Sequence, residues 1–312
     1  MTDYDRWIEQ NIPSQAGKTV LITGANSGLG FQATRVLAGK GAHVMMAVRD
    51  TVKGEKAASD VRGAVPRADL EVMALDLASL ASVRQFAGVF AQSHGRLDML
   101  INNAGVMAIP HRTTADGFEM QIGTNHLGHF ALTGLLLPLI LTTPTARIAT
   151  VSSGAHILGK INFDDLQSER SYNKWSAYGQ SKLANLLFAY ELQRRLAASG
   201  SSVISVVAHP GYASTNLQNV GPEMEGSRSG KRTMSAANRI LAQSAEMGAL
   251  PEAYAATSPN VHGGDYIGPD GLLGQKGFPK KVKSNARSHD LAVATRLWAV
   301  SEELTAVSYA FD

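Results

Sequence analysis

Short apolar runs alternate with stretches of helical period along most of this chain. Thr19–Thr23 (TVLIT) is rich in β-branched residues and predicts a strand. Leu29–Lys40 follows, with Ala33, Val36 and Leu37 on one face, the spacing of an amphipathic helix. The alternation continues with strands at His43–Val48, Leu70–Leu75, Leu97–Ile101, Arg147–Val151 and Val203–Val207, and with Tyr266 and Ile267 in a further one. Helices are predicted over Val52–Val65, Ser79–Gln92, Asp116–Leu141 and Tyr178–Ala198. Strands separated by helices predict an α/β fold, a doubly wound parallel sheet of about seven strands with helices on both faces. Residues 1–312 read as one Rossmann-type domain, with an N-terminal extension over 1–16 and a C-terminal one over 268–312. Ligands of such sheets lie beyond the carboxyl ends of the strands.

Composition narrows this picture. Hydrophobic residues make up 44% of the chain, enough for a large core and too many for a disordered tail. The chain has no cysteine, which excludes disulfides, thiolate metal sites and a cysteine nucleophile. The net charge of +3 comes without a block of Lys or Arg, so no nucleic-acid partner is expected. The longest apolar stretch, Phe130–Leu141, is broken by Thr133, Gly134 and Pro138. It falls short of the about 20 residues of a membrane span and predicts a buried helix. Met1-Thr2-Asp3-Tyr4-Asp5-Arg6 lacks the pattern of a secretory leader, so a cytoplasmic protein without a membrane anchor is expected.

Two motifs carry chemistry. Thr23-Gly24-Ala25-Asn26-Ser27-Gly28-Leu29-Gly30 joins the first strand to the first helix. Glycines there allow a tight turn and close backbone approach to a pyrophosphate, which the helix N-terminus attracts. The second strand ends Val48-Arg49-Asp50. An arginine there suits the 2′-phosphate of NADP(H), and Asp50 leaves NAD(H) open. Tyr178 and Lys182 stand four apart at the start of a helix, on one face. A nearby ammonium favours phenolate and is expected to lower the phenol's pKa from about 10. His126 and His129 form H-x-x-H without a nearby third ligand, so no metal site is expected. Lys280-Lys281-Val282-Lys283 reads as a solvated loop. Residues 212–250, with Leu217 and Met224, read as a lid over a lipophilic substrate.

Together with Asn102-Asn103-Ala104-Gly105, these motifs resemble the short-chain dehydrogenase/reductase family. Asn125-His126-Leu127-Gly128-His129-Phe130, Val151-Ser152-Ser153-Gly154-Ala155-His156 and His209-Pro210-Gly211 are similar to its retinol dehydrogenase and WW-domain oxidoreductase-like branch, which includes protochlorophyllide reductases. The resemblance implies a catalytic set of Asn125, Ser153, Tyr178 and Lys182, with Ser152 as the alternative serine. It implies cofactor contacts from Gly24, Asn26, Ser27, Gly28, Leu29, Gly30, Arg49, Asp76, Leu77, Asn102, Ala104, Gly105, Tyr178, Lys182, Pro210, Gly211, Ala213 and Thr215. It also implies a homodimer or homotetramer formed through the long helices, including the one bearing Tyr178. The expected activity is NADP(H)-dependent interconversion of an alcohol and an aldehyde or ketone. The alternatives are a cofactor-binding scaffold or sensor and a protochlorophyllide-reductase-like enzyme, the latter disfavoured by the lack of cysteine.

Overall fold

The computed structural model describes residues 1–213 and 242–311. Thr215, Leu217, Met224 and most of the expected lid lie outside the described residues. The strands are β1 (Thr19–Thr23), β2 (His43–Val48), β3 (Asp69–Ala74), β4 (Met99–Asn102), β5 (Arg147–Val151), β6 (Ile204–Ala208), β7 (Tyr266–Pro269) and β8 (Pro279–Val282). They form one sheet in the order β3-β2-β1-β4-β5-β6-β7-β8. The order reverses between β1 and β4, so the carboxyl ends of these strands open the crevice in which such folds take ligands.

Seven strands run parallel, and β8 adds an antiparallel edge to β7. That corrects the reading of Lys280-Lys281 as loop: Lys281 pairs with Ile267 and Lys280 with Gly268. Lysines on a solvent-facing edge strand also discourage further strand pairing.

Alternate residues of the inner strands feed two cores. Val20, Ile22, Val44 and Met46 pack with Ala33, Leu37 and Ala58 on one face. Leu21, Met45, Ala47, Leu100 and Ile148 pack with Phe86, Phe90, Phe130 and Leu136 on the other. Burial on both faces explains why these strands read as unbroken apolar runs.

Among the described residues, six helices flank the sheet within the main body: α2 (Gly28–Gly39), α3 (Thr51–Ala64), α4 (Leu80–Ser93), α5 (Met120–Leu141), α6 (Lys174–Ala198) and α7 (Ala245–Thr257). The N-terminal extension contains α1 (Asp3–Asn11), opened by a capping box between Thr2 and Asp5. Its Trp7 stacks on Phe278 and packs against Tyr254, each at 5.6 Å between ring centroids. The C-terminal extension contains α8 (Leu291–Thr305), whose Trp298 lies 5.1 Å from Phe130 and 5.9 Å from Phe188. Both extensions are therefore integral to the packing.

Helix α5 starts at Met120, four residues later than the sequence pattern suggests, because Glu119 caps its first turn by accepting from the Gln121 and Ile122 N–H groups. It is long and apolar enough to cross a membrane, yet 78% of its most apolar window is buried inside the fold. Helix α6 starts one turn before Tyr178. Every residue from Ala177 to Leu192 is buried, with Leu183, Ala184 and Leu187 clustered against Ala294 and Leu297 of α8. The helix expected to join subunits is thus already covered within a single chain.

Candidate active site

At the end of β1, Gly24 (φ +68°) and Gly28 (φ +56°) turn the chain in the left-handed region where a side chain would be strained. Gly30 begins the close packing of α2. A Cβ there would stand 2.5 Å from Asn103 Nδ2 and 2.6 Å from the Gly24 carbonyl. Thr23 fastens the loop to the next strand end: its Oγ1 accepts from the Asn103 and Ala104 N–H groups at 2.9 and 3.0 Å. Asn103 Nδ2 donates to the Thr23 carbonyl at 2.7 Å. Ser27 stands at the N-cap of α2 with no side-chain capping bond, so the helix's first N–H groups remain available to an anion.

A cleft of ≈ 360 Å³ runs along these strand ends. The loop contributes Gly24, Asn26, Ser27, Gly28 and Leu29; the end of β2 contributes Arg49, Asp50 and Lys53. Leu75, Asp76 and Leu77 line it after β3, and Asn103, Ala104 and Gly105 after β4. A cleft lined by a glycine-rich turn, a helix N-terminus and the cations Arg49 and Lys53 suits an anionic dinucleotide. Pro210 and Ala213 also come close: a Cβ on Gly248 would be 2.5 Å from Ala213 Cβ, 2.9 Å from Leu29 Cδ2 and 3.6 Å from the Pro210 carbonyl. Gly211 adopts φ +65° where Gln275 presses on it.

Asn102, one of the expected cofactor contacts, points away from the cleft. It belongs to β4, is fully buried, and donates from Nδ2 to Thr133 Oγ1 at 3.0 Å beneath the sheet. Asn103, one residue on, lines the cleft instead. A strand alternates its side chains, so adjacent asparagines face different surroundings.

The four expected catalytic side chains converge beside this cleft. Tyr178 is buried on α6, and Lys182, one turn on, places Nζ 5.8 Å from its ring centroid. Lys182 Nζ donates to the Val151 carbonyl at the end of β5 at 3.1 Å. Just beyond β5 the two serines part company. Ser152 Oγ is buried and donates to the Lys182 carbonyl at 2.8 Å, bracing α6 against the sheet. Ser153 is the serine beside Tyr178, where its hydroxyl favours the ionised phenol. Its Oγ also accepts from the Ala155 N–H at 3.2 Å, capping a short 3₁₀ turn at Gly154–Leu158.

Asn125 sits in a π turn, Gly123–Leu127, inside α5. Such turns redirect side chains within an otherwise regular helix. Here it aims Asn125 at the backbone of Val106: Oδ1 accepts from the N–H at 2.8 Å and Nδ2 donates to the carbonyl at 2.9 Å. Nδ2 also donates to Ser181 Oγ on α6 at 2.9 Å. Gly105 fits between these groups: a Cβ there would meet Asn125 Oδ1 at 2.9 Å and Lys182 Nζ at 3.7 Å. The two histidines of H-x-x-H are engaged separately. His126 Nε2 pairs with Ser301 Oγ at 2.9 Å and His129 Nε2 with Thr23 Oγ1 at 2.8 Å. Burial pulls their pKa values down to about 3 and about 4, keeping both rings neutral.

The electrostatics depart from the sequence expectation. Burial pushes the Tyr178 phenol up to about 12, and the Ser153 hydroxyl only partly opposes the rise. Lys182 does not produce the expected lowering: its ammonium stays on Val151 and is itself held down to about 8 by burial. The sequence also conceals Glu252 of α7. It is fully enclosed, both carboxylate oxygens lack a hydrogen-bond partner among the described residues, and its pKa is raised to about 8 by burial, against the pull of Lys182. Lys182 in turn is supported by the Glu252 charge. No motif marks Glu252, because an acid in an alanine-rich helix reads as a solvent-facing charge.

Tyr178 and Ser153 thus stand beside the buried Lys182 near the strand ends that form the cleft. Residues 18–226 match the short chain dehydrogenase family. Retinol dehydrogenase 13 of Homo sapiens is 44% identical over 299 residues, spanning 94% of this chain and 86% of that protein. Retinol dehydrogenase 14 of Homo sapiens is 43% identical over 301 residues, spanning 92% and 85%. The solved structure of an uncharacterized protein from Mycobacterium paratuberculosis superposes with a TM-score of 0.79 at 46% identity, covering 96% of this chain and 98% of that one. The chain belongs to the short-chain dehydrogenase/reductase family. Within it, the chain falls in the retinol dehydrogenase-like branch, as an oxidoreductase acting on CH–OH groups with NAD(P).

Proposed function

We propose that the protein is an NADP(H)-dependent dehydrogenase or carbonyl reductase for a lipophilic alcohol–carbonyl pair. The observation that carries this is the buried Tyr178 beside the half-buried Ser153, with Lys182 one turn along. The bound dinucleotide supplies or accepts the hydride. Ser153 donates a hydrogen bond to the substrate oxygen and stabilises negative charge developing there. Tyr178 protonates that oxygen in reduction and takes the proton back in oxidation. A phenol at about 12 is a competent donor at neutral pH; as a base it needs positive charge nearby, which Lys182 supplies when it reaches into the site. Asn125 positions Lys182 indirectly, by tying the Val106 segment to α6 through Ser181.

Preference for NADP(H) rests on Arg49 and Lys53 at the β2 end of the groove, where a 2′-phosphate would lie. Asp50 is engaged nearby, pairing with Lys53 Nζ at 3.1 Å and accepting from the Lys53 N–H at 3.1 Å. A ribose hydroxyl would compete with both bonds. A lipophilic substrate is supported by Ile157, Leu158 and Trp175, which are 61%, 69% and 41% exposed. Ile157 and Leu158 follow Ser153 in the chain, and Trp175 stands three residues before Tyr178 on α6. A cytoplasmic location remains part of this proposal.

The test is cofactor consumption by the purified chain with aldehydes and ketones of increasing chain length. NADPH should outperform NADH, longer apolar substrates should lower KM, and Arg49→Asp should reverse the cofactor preference. NADH preference in the unmodified chain would refute the assignment of Arg49.

A further inference from the structure

At the opposite end of the sheet, His43, Glu71 and His94 gather their donor atoms within 4.8 Å of one another. Strand pairing creates the cluster. His43 opens β2 and pairs in register with Asp69, while Met45, two residues on, pairs with Glu71 of the edge strand β3. His94 caps the C-terminus of α4, and its ring stacks on Phe90 at 4.5 Å and faces His43 at 6.0 Å.

Polar contacts fix which ring nitrogens are free. His43 Nδ1 lies 3.0 Å from Asp69 Oδ1, and His94 Nδ1 lies 3.2 Å from the Phe90 carbonyl. Both partners only accept, so each Nδ1 carries the proton and each Nε2 presents a lone pair when its ring is neutral. Both Nε2 atoms point at one carboxylate oxygen, Glu71 Oε2, at 3.9 Å from His43 and 3.6 Å from His94. Ligands about 2.0–2.1 Å from a tetrahedral zinc ion stand about 3.3 Å apart. Small side-chain rotations would close the gap, and the Glu71 side chain is 46% exposed and free to make them. Imidazoles oriented through Nδ1 by a carboxylate and a backbone carbonyl are the usual outer support of metal-bound histidine.

We propose that His43, Glu71 and His94 bind one zinc ion, with Asp69 as the positioning residue for His43. The ion would clamp edge strand β3 to β2 and to the end of α4. The six residues of β2 separate it from Arg49 by roughly 20 Å, so it would act on stability rather than on turnover.

The test is calorimetric titration of chelator-treated, tag-free full-length chain with ZnCl₂ at pH 7.5. The expected result is one equivalent bound at micromolar affinity or tighter, with a rise in Tm and no change in kcat. His43→Gln, His94→Gln and Glu71→Gln should each weaken binding at least tenfold, and Asp69→Asn about tenfold or more. His262→Gln, remote in sequence and solvent-exposed, should bind as the unmodified chain does. Melting without metal checks that each variant is folded. No stoichiometric binding at 100 μM zinc, undiminished binding in folded His43→Gln and His94→Gln, or equal competition from Mg²⁺ or Ca²⁺ would each overturn the proposal.

Discussion

Replacing Glu252 with glutamine should stabilise this protein, and more at pH 8 than at pH 5. Glu252 lies fully buried with neither carboxylate oxygen hydrogen-bonded among the described residues. The other buried acids have partners: Asp98 pairs with Arg96, Glu191 with Arg194 and Arg195, and Asp265 with Lys281, while Glu119 accepts from the Gln121 and Ile122 N–H groups. Burial raises the Glu252 pKa from 4.5 to about 8. The folded chain therefore holds a proton that the unfolded chain releases. Stability tied to that proton is complete below pH 4.5 and is lost as pH rises to about 8. At 1.36 kcal/mol per pH unit, the full loss is about 5 kcal/mol. Glutamine keeps the shape and removes the titration. It also removes the charge that supports the Lys182 ammonium, which offsets part of the gain. The net advantage of the variant should therefore grow by about 1–3 kcal/mol between pH 5 and pH 8. Urea unfolding of both proteins at the two pH values measures it. An advantage that stays constant with pH, or shrinks as pH rises, would refute the buried, largely protonated state assigned to Glu252.

The two adjacent serines should separate cleanly: Ser153→Ala should lower kcat by 10²-fold or more with little change in Tm, because its hydroxyl faces Tyr178. Ser152→Ala should cost about 0.5–1.5 kcal/mol in urea unfolding by removing the bond that braces α6 against the end of β5. Gly30→Ala should abolish dinucleotide binding measured by fluorescence, since its Cβ would collide with Asn103 and Gly24. Trp298→Ala should cost about 3–5 kcal/mol, because α8 then loses its wedge against Phe130, Phe188 and Tyr309.

Local patterns made much of the fold legible. Two-faced burial leaves β1 and β2 as plain apolar runs, and the glycines after β1 mark the turn into α2. The Tyr178–Lys182 spacing marks one helix face directly. What escaped depends on contacts distant in sequence. β8 was hidden because its lysines look like loop residues until β7 pairs with them. The π turn at Gly123–Leu127 leaves no break in apolar period, though it decides where Asn125 points. Choosing Asn103 over Asn102 as the cleft residue requires knowing where β4 ends. Similarly, Glu252 meets Lys182, and His43 meets His94, only after the sheet has assembled.

The most direct test of the account is single-turnover hydride transfer by Tyr178→Phe, measured alongside its affinity for NADPH. The substitution removes one hydroxyl and keeps the ring, so NADPH should bind within a few-fold of the unmodified affinity while transfer falls by at least 10³-fold. Carbonyl reduction by the phenylalanine variant at the unmodified rate would contradict Tyr178 as the proton donor and, with it, the chemistry assigned to this site.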